Sequence, residues 1–267
     1  MRFSNLHAHS VFSDGVNTLR ENVECAISKE MLSLGFSDHS YTACDESYCM
    51  MPRDYDRYLT EIFALKSEFC DTLPIYAGIE QDYYSDRADY GFDYIIASVH
   101  YVKAKGKYYA VDHMATIQRE CISDGFGGNV MDMVRSYYAS VVEHAYLTRP
   151  SVIGHFDVIT KFGIVPEHSD EYLRVATEAL RETARYCSVF EINTGAISRG
   201  YRTEPYPAMP LLSELRALDV KIVINSDSHA KENLDSSFDL ALKCAVNAGY
   251  DSIHVFDNGV FKPVSIK

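Results

Sequence analysis

Seven short apolar segments recur along the chain, and each ends at a residue able to hold a metal ion. They are Arg2–Leu6, Leu32–Ser37, Ile75–Ile79, Tyr94–Ser98, Ser151–Gly154, Val189–Asn193 and Lys221–Asn225. They are partly β-branched and mostly continuous rather than alternating, the pattern of parallel strands buried on both faces. Between them the spacing predicts helices over Thr18–Glu30, Asp54–Phe69, Val130–Tyr146, Asp170–Tyr186 and Met209–Leu218. Thr18, with Glu21 three residues on, makes a prospective capping box. Pro210 falls near a helix start, where its missing N–H costs little. Such alternation over 267 residues leaves two architectures, an open doubly wound sheet or an α/β barrel.

The polar residues choose between them. After the seven strands come, in order, His7 and His9, His39, Glu80, His100, His155, Glu191 with Asn193, and Asp227 with His229. A barrel gathers the carboxyl ends of all its strands around one mouth. An open sheet spreads them along a line and collects only those at its switch point. A barrel is therefore expected. No repeat, low-complexity tract or Gly/Ser-rich linker divides the chain, so residues 1–267 are expected to form one domain.

Side chains on a strand repeat every two residues, so His7-Ala8-His9 points both imidazoles the same way. Asp14 follows in a Ser13-Asp14-Gly15 turn, close enough to add an oxygen. Asp38 precedes His39 and is expected either to orient an imidazole or to cap the following turn. Gly78-Ile79-Glu80 brings a carboxylate whose two oxygens suit bridging two cations. His100 and His155 each follow an apolar run, and Gly154 permits close backbone approach. Asp227-Ser228-His229 again projects two donors to one side.

Taken singly, each of these would be an ordinary packed or ion-paired residue. Together, His7, His9, Asp14, His39, Glu80, His100, His155, Asp227 and His229 are nine candidate donors. One zinc ion takes three or four protein ligands, so nine fit a cluster of two or three metals. The histidines at 113, 144, 168 and 254 are expected in loops or helices as ordinary residues. Tyr83, Tyr84 and Tyr101 follow ligand-bearing strand ends and are candidates to line a pocket, with Tyr101 assigned to substrate.

With 25 basic against 38 acidic side chains the net charge is −13, which repels nucleic acid and anionic lipid. Any anionic substrate then needs local positive charge, which bound cations supply. Seven scattered cysteines without a C-x-x-C pair suit a reducing compartment. The opening residues lack the apolar run of a signal peptide, and no stretch approaches ~20 apolar residues. A cytoplasmic protein is expected.

The motifs His7-Ala8-His9-Ser10, Ser13-Asp14-Gly15, Ser37-Asp38-His39, Gly78-Ile79-Glu80, Ser98-Val99-His100, Gly154-His155 and Ser226-Asp227-Ser228-His229 resemble the polymerase-and-histidinol-phosphatase (PHP) superfamily. Gly78-Ile79-Glu80-Gln81-Asp82-Tyr83, His155-Phe156-Asp157 and Glu191-Ile192-Asn193-Thr194 resemble its monofunctional histidinol-phosphate phosphatase branch. The resemblance implies an α/β fold, a distorted (β/α)7 TIM-like barrel, with three divalent metals, commonly zinc, iron or manganese. It assigns His7, His9, Glu80 and Asp227 to one metal. Glu80, His100 and His155 go to a second, and Asp14, His39 and His229 to a third. It also implies hydrolysis of L-histidinol phosphate to L-histidinol and phosphate in histidine biosynthesis, a small-molecule partner rather than nucleic acid or membrane.

A hydroxide shared by two metals is the expected nucleophile, because coordination lowers the pKa of water from ~15.7 towards ~7. Asp227 and Asp14 are the expected catalytic carboxylates, set to hydrogen-bond to the leaving alkoxide. Lys161 and Arg199, on loops after the fifth and sixth strands, are the expected phosphate partners, arginine offering a bidentate fork. Asp45, Glu46 or Glu191 would receive the ammonium and imidazole of the substrate. The long stretch from Tyr101 to Asn129, with Gly125-Phe126-Gly127-Gly128, is expected to shield the mouth as a partial lid. Competing expectations are a phosphoesterase of nucleotides or short oligonucleotides, a metal-binding regulatory protein, and an amidohydrolase-type barrel. The last usually pairs its H-x-H with a bridging lysine, where Glu80 stands here.

Overall fold

The computed structural model describes residues 2–86 and 90–266. Seven strands form one parallel sheet in chain order: β1 (Ser4–Asn5), β2 (Ser33–Phe36), β3 (Ile75–Asp82), β4 (Tyr94–Ser98), β5 (Val152–Ile153), β6 (Val189–Asn193) and β7 (Lys221–Asn225). The sheet curls until its first and last strands meet. Ala8 bridges Ser228 in parallel, and His9 N donates to Ser228 O at 2.9 Å. Two buried amides finish the seam, with Asn5 Nδ2 donating to Ser226 Oγ at 2.7 Å and Leu6 N to Asn225 Oδ1 at 2.9 Å. The result is a nearly closed, distorted TIM-like barrel.

Helices α1 (Leu19–Ser28), α2 (Tyr55–Glu68), α3 (Val130–Thr148), α4 (Asp170–Ala184), α5 (Met209–Ala217) and α6 (Phe238–Asn247) accompany the barrel. The box at Thr18 forms: Glu21 N donates to Thr18 Oγ1 at 3.2 Å, and Thr18 N to Glu21 Oε2 at 2.9 Å. Two departures from a regular repeat matter for the site. Among the described residues no helix separates β3 from β4. In addition, β3 runs on to Asp82 instead of stopping at Ile79. Glu80 is thus paired within the ladder, opposite Ile96, and Asp82 two residues later shares its face.

One tyrosine fills the middle of the barrel. Tyr94 reaches across to donate to the carbonyls of Leu6 and of Phe36. Its ring occupies the space where side chains on two neighbouring strands would stand. A Cβ on Gly78 would lie 2.2 Å from its ring, and one on Gly35 would lie 2.4 Å from its hydroxyl. Below it, a hairpin of Ser252–Asp257 and Val260–Ser265 plugs the amino-terminal end. Phe256 from that hairpin packs edge-on against Tyr76 at 4.9 Å.

The stretch after β4 is built rather than loose. Tyr101–Ala104 and Lys107–Ala110 make a second hairpin, followed by the helical turns Ala115–Glu120 and Cys121–Gly125. Buried Gln118 pins this unit by donating to Val111 O at 3.0 Å and Ile159 O at 2.6 Å. The expected lid is therefore a packed wall of the mouth. No described helix is long and apolar enough to cross a membrane.

Candidate metal centre at the barrel mouth

All nine predicted donors meet at the carboxyl ends of the strands, because the register of a closed parallel sheet brings every strand end to one rim. His7 and His9 lie on the seam with β7, and His39 bridges Glu80 across β2 and β3. Asp14 arrives on a tight turn. Asp38 holds that turn: its Oδ1 accepts from Ser10 N at 2.8 Å and Ser13 Oγ at 2.6 Å, and its Oδ2 from Ser10 Oγ at 2.9 Å. Neither expected role is the one observed: Asp38 braces the Ser10–Ser13 turn, 25–28 residues earlier in the chain, rather than the turn that follows it or an imidazole. Gly15 is required here, since a Cβ would stand 2.6 Å from the backbone of His9.

A four-coordinate ion with bonds of ~2.0–2.1 Å keeps its donors roughly 3.3 Å apart. The donors here already stand at that spacing. His7 Nε2 is 3.3 Å from Glu80 Oε2, and His9 Nε2 is 3.2 Å from Asp227 Oδ1. His100 Nε2 lies 3.4 Å from Glu80 Oε1 and 3.3 Å from His155 Nε2. His229 Nε2 lies 3.2 Å from Asp14 Oδ1. His39 stands between two sets, with Nε2 3.6 Å from Asp14 Oδ1 and Nδ1 2.8 Å from Glu80 Oε2. His7 Nε2, both ring nitrogens of His9 and Glu80 Oε2 are buried without a well-directed hydrogen bond. Such orphans cost free energy unless something occupies their lone pairs.

The far side of the cluster explains why those lone pairs face inward. Glu191 Oε2 takes His7 Nδ1 at 2.9 Å and Asn225 Nδ2 at 2.9 Å, while its Oε1 accepts from His155 N at 2.6 Å and Asn193 Nδ2 at 2.7 Å. Asp82 Oδ2 accepts from His100 N at 2.9 Å and faces His100 Nδ1 at 3.2 Å. A histidine fixed at one nitrogen by a carboxylate presents the other to a metal. Glu191 is buried and has both oxygens engaged by its four donors, which removes it as a receiver of substrate groups. Asp82 had a signal in the sequence: two-residue alternation continued from Glu80.

Electrostatics agree with a cation site. Burial opposes charge on His7, yet Glu191, Glu80 and Asp227 outweigh it and hold its pKa well above the ordinary imidazole range. His9 goes the other way, to about 3, through burial and its neighbours His229 and His39, so it stays a neutral donor. Burial would raise Glu80 and Asp227, but the surrounding imidazoles, and for Asp227 chiefly Arg199, keep both carboxyls well below their usual range. Carboxylates and imidazole lone pairs converging on one volume fit several divalent cations.

Beside the cluster lies a cavity of about 430 Å³, and it reaches His39, His100, Arg199 and Lys161. Arg199 follows the turn Gly195–Ser198 and grips Asp227, with Nη2 2.8 Å from Oδ2 and Nη1 2.9 Å from the carbonyl. Lys161 Nζ donates to Asp112 O at 2.6 Å and sits 4.9 Å from the Tyr201 ring centre. Tyr101 lines the cavity, whereas Tyr83 turns away to Glu143 at 2.8 Å. Tyr84 stacks edge-on against Tyr108 outside the cavity. Glu46 also points elsewhere, accepting from Tyr41. His113 reaches the mouth, unlike the ordinary place expected for it, and His254 is on a strand. Asp112 and Tyr48 line the cavity without having been read from sequence; both come from segments brought in over long range.

Known proteins share this framework. A histidinol-phosphatase of Bacillus subtilis is 26% identical over 260 residues, covering 89% of this chain and 97% of that one. Among solved structures, histidinol phosphate phosphatase of Lactococcus lactis, complexed with zinc, L-histidinol and phosphate, superposes with a TM-score of 0.74 at 21% identity. That match covers 98% of this chain and 99% of the other. A Listeria monocytogenes chain solved as a candidate histidinol phosphatase gives 0.77 at 20% identity, over 88% and 98%. At such identities the two structures speak for the fold. The PHP domain model matches residues 5–195, from the first strand past the sixth, and the chain belongs to that family.

Proposed function

We propose that this chain is a metal-dependent phosphomonoesterase that hydrolyses L-histidinol phosphate to L-histidinol and phosphate, the whole activity residing in one barrel domain. The observation that carries the proposal is the convergence of nine donors in one cluster, six of which line a small cavity that also holds Arg199 and Lys161. Its volume suits a small molecule rather than a polymer. The Bacillus and Lactococcus proteins act on, or are complexed with the products of, this same ester. Seven free cysteines, none paired, support a reducing, cytoplasmic setting.

His7, His9, Glu80 and Asp227 would hold one cation, Glu80, His100 and His155 a second, and Asp14, His39 and His229 a third, with zinc, iron or manganese all suited to these donors. When bound, the cations supply an activated water and neutralise a phosphate bearing about two negative charges. The protein's own groups do the rest. Lys161 and Arg199 face the phosphate side of the cavity and add fixed positive charge. Asp227, held as a carboxylate by Arg199, cannot start as an acid. It would accept a hydrogen bond from the attacking water and so orient it, while the water's proton would pass to the departing alcohol oxygen as the P–O bond breaks. Asp14 is held low in the same way by His39 and His229 against the effect of its burial, and serves as acceptor on the outer rim.

Purified protein loaded with divalent metal is assayed for phosphate release from histidinol phosphate, mononucleotides and sugar phosphates. Histidinol phosphate is expected to lead in kcat/KM by at least about 100-fold. A mononucleotide in first place overturns the substrate and leaves the hydrolase. No release from any ester favours a regulatory metal-binding protein.

A further inference from the structure

The cavity has a second wall that the phosphate and the metals leave unused. Asp45 comes from the loop after β2 and lines the same cavity as Lys161 and Arg199. Its carboxylate is fixed at both oxygens. Tyr101 donates its hydroxyl to Oδ2 at 2.9 Å, and Ser47 donates N and Oγ to Oδ1 at 3.0 and 2.6 Å. All three donors are neutral, and among the described residues Asp45 has no ion pair within 4 Å, His113 acting on it only from farther away. Of the other carboxylates lining the cavity, Asp14 and Asp227 belong to the metal donors, and Asp112 differs on that point. Lys161 Nζ lies 3.9 Å from its Oδ2 and offsets its charge. Glu46, the remaining acid of the loop, is spent on Tyr41.

Between Asp45 and the metal donors stands an aromatic face. The Tyr48 ring packs edge-on against His39 at 4.8 Å and lies 6.1 Å from Tyr101 at an interplanar angle of 34°. A flat or cationic group extending from the metals towards Asp45 would run along these two rings, which attract cations over their faces. A fixed anion at one end, neutral donors holding it and aromatic walls leading to it form a receptor for an organic cation.

We propose that Asp45, positioned by Tyr101 and Ser47, is the counter-ion for a cationic group on the leaving alcohol. The site thereby selects phosphomonoesters of amino alcohols over uncharged esters. This rests on the phosphomonoesterase reading and narrows its substrate class. Tyr101 acts through Asp45 as a positioning residue.

The test uses metal-loaded wild type, Asp45→Asn and Tyr101→Phe, assayed on two matched pairs of esters. One pair is histidinol phosphate against glycerol phosphate, the other phosphoethanolamine against ethyl phosphate. Losing a charge-assisted bond should lower kcat/KM of Asp45→Asn on both cationic esters by about 10- to 100-fold, mainly through KM. The neutral esters should change less than about 2-fold, and Tyr101→Phe should show a smaller loss with the same selectivity. Calorimetric binding of L-histidinol should weaken by the same factor as the cationic esters. Equal losses on cationic and neutral esters, or unchanged histidinol binding, overturn the proposal. If wild type favours phosphoethanolamine but ignores histidinol phosphate, the named substrate falls and the role of Asp45 stands. Asparagine is nearly isosteric and position 45 is on a partly exposed loop, so unchanged melting is expected and is checked alongside.

Discussion

The two ends of this barrel follow opposite rules. The carboxyl end is crowded with groups that repel or strand one another: imidazole lone pairs, carboxylates and buried atoms without good hydrogen bonds. Each buried orphan costs about 1–3 kcal/mol in the metal-free chain. The amino end is closed by the terminal hairpin, whose Phe256 is packed among Tyr76, Tyr94 and Phe261. A buried aromatic of this kind contributes about 1.5–3 kcal/mol. One end is arranged for ligands at the expense of stability, and the other holds the strands so that the first can be tolerated.

Glu80→Gln challenges that division most strongly. It removes the carboxylate shared by five imidazoles, so kcat should fall by at least about 10³-fold with loss of bound metal by elemental analysis. Near-normal turnover would break the assignment of the mouth to chemistry. Phe256→Ala should do the converse, costing about 3–5 kcal/mol in denaturant unfolding while kcat stays within about 2-fold at low temperature. A large kcat loss in the folded variant would mean that the two ends are coupled. Chelation should destabilise wild type by about 2.7 kcal/mol for every site formerly held at a hundred times its Kd, read as a fall in Tm. The same fall in Phe256→Ala would sharpen the contrast, since additivity is expected of distant sites. Smallest is Glu191→Gln, which keeps the shape but removes the charge behind His7. Metal affinity should drop about 10- to 100-fold, measured by competition with a chromogenic chelator.

The mouth was more legible in the sequence than the floor. Parallel strands buried on both faces read as apolar runs, and the residues just past them pointed to one rim. Hence His7 through His229 could be listed from spacing before any coordinates. Asp82 escaped because β3 was ended at Ile79, which hid the next inward position. Asp45, Tyr48 and Asp112 have no periodic mark; they meet the cavity through folds of loop and hairpin. The floor carried a signal that went unread: Asn258-Gly259, with φ of 49° and 84°, is a two-residue hairpin turn between alternating segments. Helix α6 and the second hairpin were likewise absent from the expected elements, although Lys105 and Gly106, with φ of 49° and 81°, mark that turn too.

Tyr94, Gly35 and Gly78 are sterically interlocked. Either glycine can gain a methyl group only where residue 94 has first become smaller, since the ring already fills both positions. A chain that shrank Tyr94 alone would open a void and strand the Leu6 and Phe36 carbonyls it serves. Each single step is therefore uphill, and the three positions should change together or not at all among descendants of this barrel. Their joint substitution pattern offers a historical record of the fold that is separate from its chemistry.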